Sequence, residues 1–283
     1  MKKYHGIIVP VVTPLSDPFT VDLPAVKPLF DFIIGGGVSA IFVLGTTGEG
    51  PALSLDQQKK FILESKKAIA GRVPLLVGIS GASGADTLEM GRFAVNAGAD
   101  AIVAAVPCYI PAESDDEIFG FYSALAQEFP GKVFVYNMPA MVKVAFSPEL
   151  AVRLLGIPGI AGYKDSSGVF EDFARVVKAA KPLGKHLFIG PEHLTKAAME
   201  IGGDGGVNGG ANILPELFAR LVKAIDDGDT AAADQAQREI EAFQPQYGTP
   251  CTAPSVVRSL KYLLARKGLI QNITAFPNLP KSC

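Results

Sequence analysis

Cysteine is scarce in this chain. There are three, Cys108, Cys251 and Cys283, none in a C-x-x-C pair, and three thiols cannot pair fully within one chain. That argues against a disulfide-stapled fold, and the expectation is buried or terminal thiols in a reducing compartment. Charge is sparse too. Charged residues make up 19% and the formal net charge is −2, and the basic residues cluster only as the pairs Lys2-Lys3, Lys59-Lys60 and Lys66-Lys67. Neither a nucleic-acid partner nor an anionic membrane surface fits that pattern. No uncharged apolar run reaches the roughly 18 residues of a membrane-crossing helix. Pro10 and Pro14 interrupt the apolar run nearest the start, so no signal peptide is expected. The three histidines, His5, His186 and His193, are far apart, and no HExxH or paired Cys/His spacing points to a metal. GxSxG, GxGxxG and the GK[ST] ending of a P-loop are also missing. The expectation is a soluble cytoplasmic protein with no metal site.

Apolar side chains are abundant, at 48%, and they come in short blocks. Of the apolar runs at 6–12, 40–44, 74–79, 101–106, 133–136, 160–164, 187–189 and 205–208, most are rich in Val and Ile and do not alternate with polar residues, the last two carrying the weaker signal. Strands buried on both faces of a parallel sheet read this way. Amphipathic stretches separate them, at 55–70, 85–97, 115–127, 148–155, 169–180, 195–201 and 215–227. Ser54 is placed to cap the first of these. Ser147 followed by Pro148 is a cap with proline at the first helical position. Gly98-Ala99-Asp100 and Gly202-Gly203-Asp204 recur between a helix and the next strand, where glycine suits a helix C-terminus. Eight such alternations predict an α/β fold, a (β/α)8 TIM barrel, over residues 1–228. An open doubly wound sheet is the alternative, but it would carry a glycine-rich loop after the first strand. Here that place holds Val12-Thr13-Pro14-Leu15. Residues 229–283, with helical patterns at 230–243 and 253–267, read as a C-terminal helical extension packed on the barrel.

A barrel places its chemistry at the C-terminal ends of the strands. The second strand is followed by Gly45-Thr46-Thr47-Gly48-Glu49-Gly50, whose glycines permit close backbone approach and whose hydroxyls and N–H groups suit a carboxylate or phosphate. The same residues also describe a glycine-rich turn with solvated threonines. Tyr136 ends the fifth run, as a catalytic group or, more often for a strand-end tyrosine, as an amphipathic plug. Lys164 ends the sixth, as a nucleophile or as a lysine that snorkels or pairs with Asp165. Neighbouring strands would set Tyr136 and Lys164 side by side. A nucleophilic lysine must be neutral, and at its ordinary pKa only roughly one in 2,500 is neutral at pH 7. An apolar barrel mouth disfavours the ammonium and lowers that barrier.

Together these motifs resemble the N-acetylneuraminate lyase / dihydrodipicolinate synthase family, which includes 2-keto-3-deoxygluconate aldolases. Three segments carry the resemblance: Gly45-Thr46-Thr47-Gly48-Glu49, Tyr136-Asn137-Met138-Pro139 and Gly162-Tyr163-Lys164-Asp165-Ser166-Ser167-Gly168. It extends over nearly the whole chain. The resemblance implies a class I aldolase in which Lys164 forms a Schiff base with pyruvate or a longer 2-keto acid and Tyr136 relays protons. Thr46 and Thr47, with Gly48, would hold the substrate carboxylate, and Ser166 would border it. Tyr109 would reach a neighbouring subunit's site in a homotetramer built from tight dimers. No organic cofactor is implied.

Departures from the family pattern bear on the substrate. Ala140-Met141 stands where dihydrodipicolinate synthases carry an arginine that clamps the second substrate's carboxylate, and methionine offers no such clamp. Gly190-Pro191-Glu192-His193 replaces the Gly-Tyr-Asp-Glu with which neuraminate lyases bind sugar hydroxyls, and Asn208 stands near the place of a lyase serine. The leading expectation is therefore cleavage or formation of a 2-keto-3-deoxy sugar acid or N-acetylneuraminate-like acid. On that reading Ala140, Gly190, Glu192, His193 and Asn208 line the substrate. The alternative is 4-hydroxy-tetrahydrodipicolinate (dihydrodipicolinate) synthase in lysine biosynthesis. A catalytically silent keto-acid-binding barrel and a phosphate-binding barrel using the glycines at 202–210 complete the set.

Overall fold

The computed structural model describes residues 4–248 and 252–281. Cys251 and Cys283 lie outside them. Eight parallel strands close into a barrel: Gly6–Pro10, Ala40–Val43, Leu75–Gly78, Ala101–Ala104, Val133–Asn137, Ile160–Asp165, His186–Ile189 and Gly205–Val207. Each pairs with its neighbour in the chain, and the first and last meet through Gly6 opposite Gly205. Every run read as a strand is one. Their side chains are buried on both faces almost without exception, which is why the runs do not alternate.

Helices alternate with the strands and cover the barrel. Ser54, Ser83, Ser114 and Ser147 each accept a hydrogen bond from the backbone N–H three residues on. Such a cap stabilises a helix start by about 1 kcal/mol. Gly98 and Gly202 take left-handed backbone, with φ of +90° and +101°. The aspartates that follow have a further use. Asp100 accepts the N–H of Leu75 at 3.1 Å and Asp204 that of Leu187 at 2.8 Å, so each carboxylate pins the start of the preceding strand.

Three local elements were not foreseen. A helix spans Leu23–Gly35 although Pro28 lies inside it. A small antiparallel ladder joins Leu15–Asp17 to Thr20–Val21, and one helical turn follows Tyr136, over Pro139–Val142. Beyond the eighth unit, helix Thr230–Phe243 packs on helix Pro215–Asp226, and helix Ala253–Arg266 leads back to the barrel mouth. Cys108 departs from expectation. It is exposed, in the loop after the fourth strand, where the chain has left the apolar core.

Candidate active site

The register of the fifth and sixth strands sets Tyr136 directly opposite Lys164. Both side chains are buried, at 4% and 6% exposure. Lys164 Nζ lies 4.0 Å from the centre of the Tyr136 ring and 5.0 Å from that of Phe42. Asp165, next along the strand, faces away, as alternation requires. Its carboxylate accepts hydrogen bonds from Asn137 Nδ2 at 3.3 Å and from the Ser167 N–H at 2.7 Å. Among the described residues no carboxylate forms an ion pair with Lys164, so the salt-bridge alternative is not realised. Burial pushes the Asp165 carboxyl up, against those hydrogen bonds.

The Tyr136 hydroxyl lies 3.4 Å from Thr46 Oγ1. Burial raises its pKa, but the Lys164 ammonium and hydrogen bonding with Thr46, Lys164 and Ser166 together outweigh that and bring it below the ordinary tyrosine value. Behind it Tyr122 is wholly buried, donates to the Ala104 carbonyl at 2.7 Å and accepts from the Tyr136 N–H at 3.4 Å. Two tyrosines thus sit in contact with opposite tendencies. Tyr122 is driven up by burial, while Tyr136, beside the amine, is poised to give up a proton.

Thr46 and Thr47 ride on a loop under tension. Leu44 and Glu49 bracket them with left-handed backbone at φ 59° and 54°, a conformation that costs a non-glycine residue about 1 kcal/mol or more. The glycines between are required by crowding. A Cβ on Gly48 would meet Leu44 N and Val11 O, both at 2.9 Å, and one on Gly45 would run into the Phe42 ring at 2.6 Å. The Gly48 carbonyl also accepts from Thr13 Oγ1 at 2.5 Å. Glu49 anchors the loop. Its carboxylate accepts the Ala275 N–H at 2.8 Å and pairs with the fully buried Lys261 of the C-terminal helix. Lys261 also donates to the Ile273 carbonyl at 2.9 Å. Sequence reading did not assign Glu49 this role or single out Lys261. The signal for Lys261 was a charge on the apolar face of an amphipathic helix.

The other expected residues divide. Ser166 and Gly190 belong to the mouth: a Cβ on Gly190 would lie 2.3 Å from Ser166 Oγ. Asn208 is buried and committed, accepting from Thr195 Oγ1 at 3.2 Å and donating to the Gly190 carbonyl at 3.2 Å. Glu192 departs from its expected place. Its carboxylate is buried, accepting the Gly210 N–H at 2.6 Å and the Tyr247 hydroxyl, so it is spent on joining the barrel to the extension. Burial raises its pKa against those bonds. His193 points to solvent and Ala140 is exposed. Tyr109 and Ile110 are 83% and 81% exposed, an adjacent pair of large apolar side chains at the rim.

A cavity of about 580 Å³ opens beside the pair. Phe42, Thr46 and Tyr136 line it, together with Met138, Met141 and Val142 and, from the extension, Val257, Arg258 and Asn278. Among the described residues no group of three His, Cys, Asp or Glu side chains is placed to hold a metal. No helix among them is long and apolar enough to cross a membrane.

With this geometry in place, similarity to known proteins becomes informative. The chain matches the model of the dihydrodipicolinate synthetase family over residues 3–282. It is 31% identical to a 4-hydroxy-tetrahydrodipicolinate synthase of Leptothrix cholodnii, over the whole of this chain and 94% of that one. Among solved structures it resembles a dihydrodipicolinate synthase of Bacteroides thetaiotaomicron (35% identity, TM-score 0.92, 99% of this chain and 94% of that one). It also resembles a chloride-inhibited Acinetobacter baumannii enzyme of the same name solved with pyruvate (27%, TM-score 0.91, 99% and 94%).

Proposed function

We propose, for a chain that belongs to the dihydrodipicolinate synthetase family and is a lyase of the Schiff-base type, that Lys164 condenses with pyruvate and that the resulting enamine adds to an aldehyde. The carrying observation is the register that lays the Lys164 amine against the Tyr136 ring in a buried, apolar mouth. The amine attacks the ketone carbon and water leaves. Loss of a methyl proton gives the enamine, whose carbon attacks the aldehyde carbonyl. The new alkoxide takes a proton, and water hydrolyses the iminium to free Lys164 and a 4-hydroxy-2-oxo acid. The same steps reversed are aldol cleavage. Tyr136, with its lowered pKa and its contacts with Lys164 and Thr46, is the proton carrier. Thr46 and Thr47 hold the pyruvate carboxylate, with Gly48 and Ser166 bordering it.

Two observations move the substrate away from the sugar-acid expectation. Glu192 is spent on Gly210 and Tyr247, and His193 faces solvent, so the rim expected to bind sugar hydroxyls is not assembled. The name carried by curated relatives favours the alternative, 4-hydroxy-tetrahydrodipicolinate synthesis, in which the aldehyde bears a carboxylate. Met141 remains a departure from that alternative. The exposed Tyr109 and Ile110 suit burial against a second copy in a homotetramer. The test is borohydride reduction with pyruvate followed by intact mass. An adduct in the parent protein and none in Lys164→Ala supports the mechanism, and no adduct in the parent removes it. Condensation of pyruvate with aspartate semialdehyde, set against pyruvate release from 2-keto-3-deoxy sugar acids, separates the two substrates.

A further inference from the structure

Arg258 is the unexplained charge of the cavity. Among the described lining residues three carry formal charge: Glu49, Asp86 and Arg258. Glu49 is neutralised by Lys261. Asp86 accepts the hydroxyl and serves the helix start at Ser83. Arg258 has no ion pair among the described residues. Among the same residues its Nη2 reaches only Asn278 Oδ1, at a long 3.5 Å, and its buried Nε meets no hydrogen-bond partner. A buried donor left without a partner is costly, the more so when it belongs to a charged group. Such a donor, in the cavity that Tyr136 also lines, is open to satisfaction by a bound ligand.

The surroundings narrow the class of that ligand. Phe42 and Tyr136, the two rings that flank the Lys164 amine, also line this cavity, so it borders the surroundings of the reacting amine. The walls between are largely apolar, with Ile79, Val103, Met138 and Met141, and none of those side chains binds an anion. A guanidinium on the cavity wall presents a planar fork that fits a carboxylate.

We infer that Arg258, on the C-terminal extension, is the specificity-determining residue that binds a carboxylate at the far end of the aldehyde partner. The inference rests on the Schiff-base reading and deepens it, since it names the partner as an aldehyde with a distal anion. Thr46 and Thr47 take one carboxylate, that of pyruvate, and Arg258 takes the other.

The test compares 4-oxobutanoate with butanal, an acceptor of equal length without the charge, in pyruvate condensation by the full chain. In Arg258→Met the ratio of kcat/KM for 4-oxobutanoate over butanal should fall about 10- to 100-fold, the range for one charge-assisted hydrogen-bonded contact. Arg258→Lys should recover part of that ratio. Borohydride trapping of pyruvate is run on the same preparations. An unchanged ratio in both variants with pyruvate still trapped overturns the role of Arg258 and leaves the Schiff base standing. No adduct in the unaltered protein overturns both.

Discussion

The rim formed by strands five and six and the rim formed by strands seven and eight are both polar, and in the sequence they look alike. Each ends in a cluster of titratable and amide side chains: Tyr136, Asn137, Lys164 and Asp165 on one side, Glu192, His193 and Asn208 on the other. In three dimensions they differ in how far their polar groups are already spent. Glu192 and Asn208 are hydrogen-bonded to partners that hold strand ends and the extension in place. Lys164 has an aromatic ring against it and no carboxylate partner among the described residues. A satisfied buried group stabilises a fold, whereas one without a counter-charge is poised to react.

That contrast is broken most severely at Lys164. Lys164→Ala should abolish turnover, read as release or consumption of pyruvate, with the fold intact by melting. Residual turnover near the parent rate would place the chemistry elsewhere. The next effect in size is at its neighbour. Tyr136→Phe should lose about 10²–10⁴-fold in kcat, the usual contribution of a positioned proton carrier, while keeping the borohydride adduct. Because the Tyr136 pKa lies below the ordinary value and the phenol must be protonated to donate, parent activity should decline with pH before an ordinary tyrosine would ionise. That decline is absent from the activity that remains in the Phe variant.

The third effect falls on the scaffold. Lys261→Met leaves Glu49 buried without its cation, which should cost about 3–5 kcal/mol of stability, seen as a lowered denaturation midpoint. Because Glu49 closes the loop of Thr46 and Thr47, KM for pyruvate should rise with it. Adding Glu49→Gln to Lys261→Met should return most of the stability, since the unpaired charge is then gone. If the double variant is no more stable than the single one, the pair is not what holds the loop.

Much of this was legible beforehand, for physical reasons that also mark the limit. The eight strands show in the sequence because a strand buried on both faces must be apolar throughout. Lys164 and Tyr136 stand out because a polar residue closing such a strand is costly. Helix Leu23–Gly35 did not show, since Pro28 forfeits a ladder bond and masks the pattern. The fates of Glu192 and Lys261 were hidden because their partners, Tyr247 and Glu49, are brought near only by closure of the barrel. Nothing in the sequence separates Arg258 from other helix arginines; only the cavity gives its position a meaning.

The smallest effect is the sharpest probe of the opening contrast. If Glu192 is scaffold, Glu192→Gln should cost about 1 kcal/mol in stability, an ordinary hydrogen-bond difference. Pyruvate kinetics should then shift by less than about fivefold, the factor that roughly 1 kcal/mol commands. Its titration gives an independent reading. Burial holds the native Glu192 pKa above its ordinary value, so the native state binds that proton more tightly than the unfolded chain does. Its contribution is then fully present below the ordinary glutamate pKa of about 4.3 and is lost as pH rises through the native value. Glutamine does not titrate. Stability of Glu192→Gln should therefore fall less than that of the parent as pH is raised through that window, in denaturant melts at a series of pH values. Parallel curves for the two proteins, together with a large rise in KM, would move Glu192 from the scaffold to the substrate and erase the distinction between the two rims.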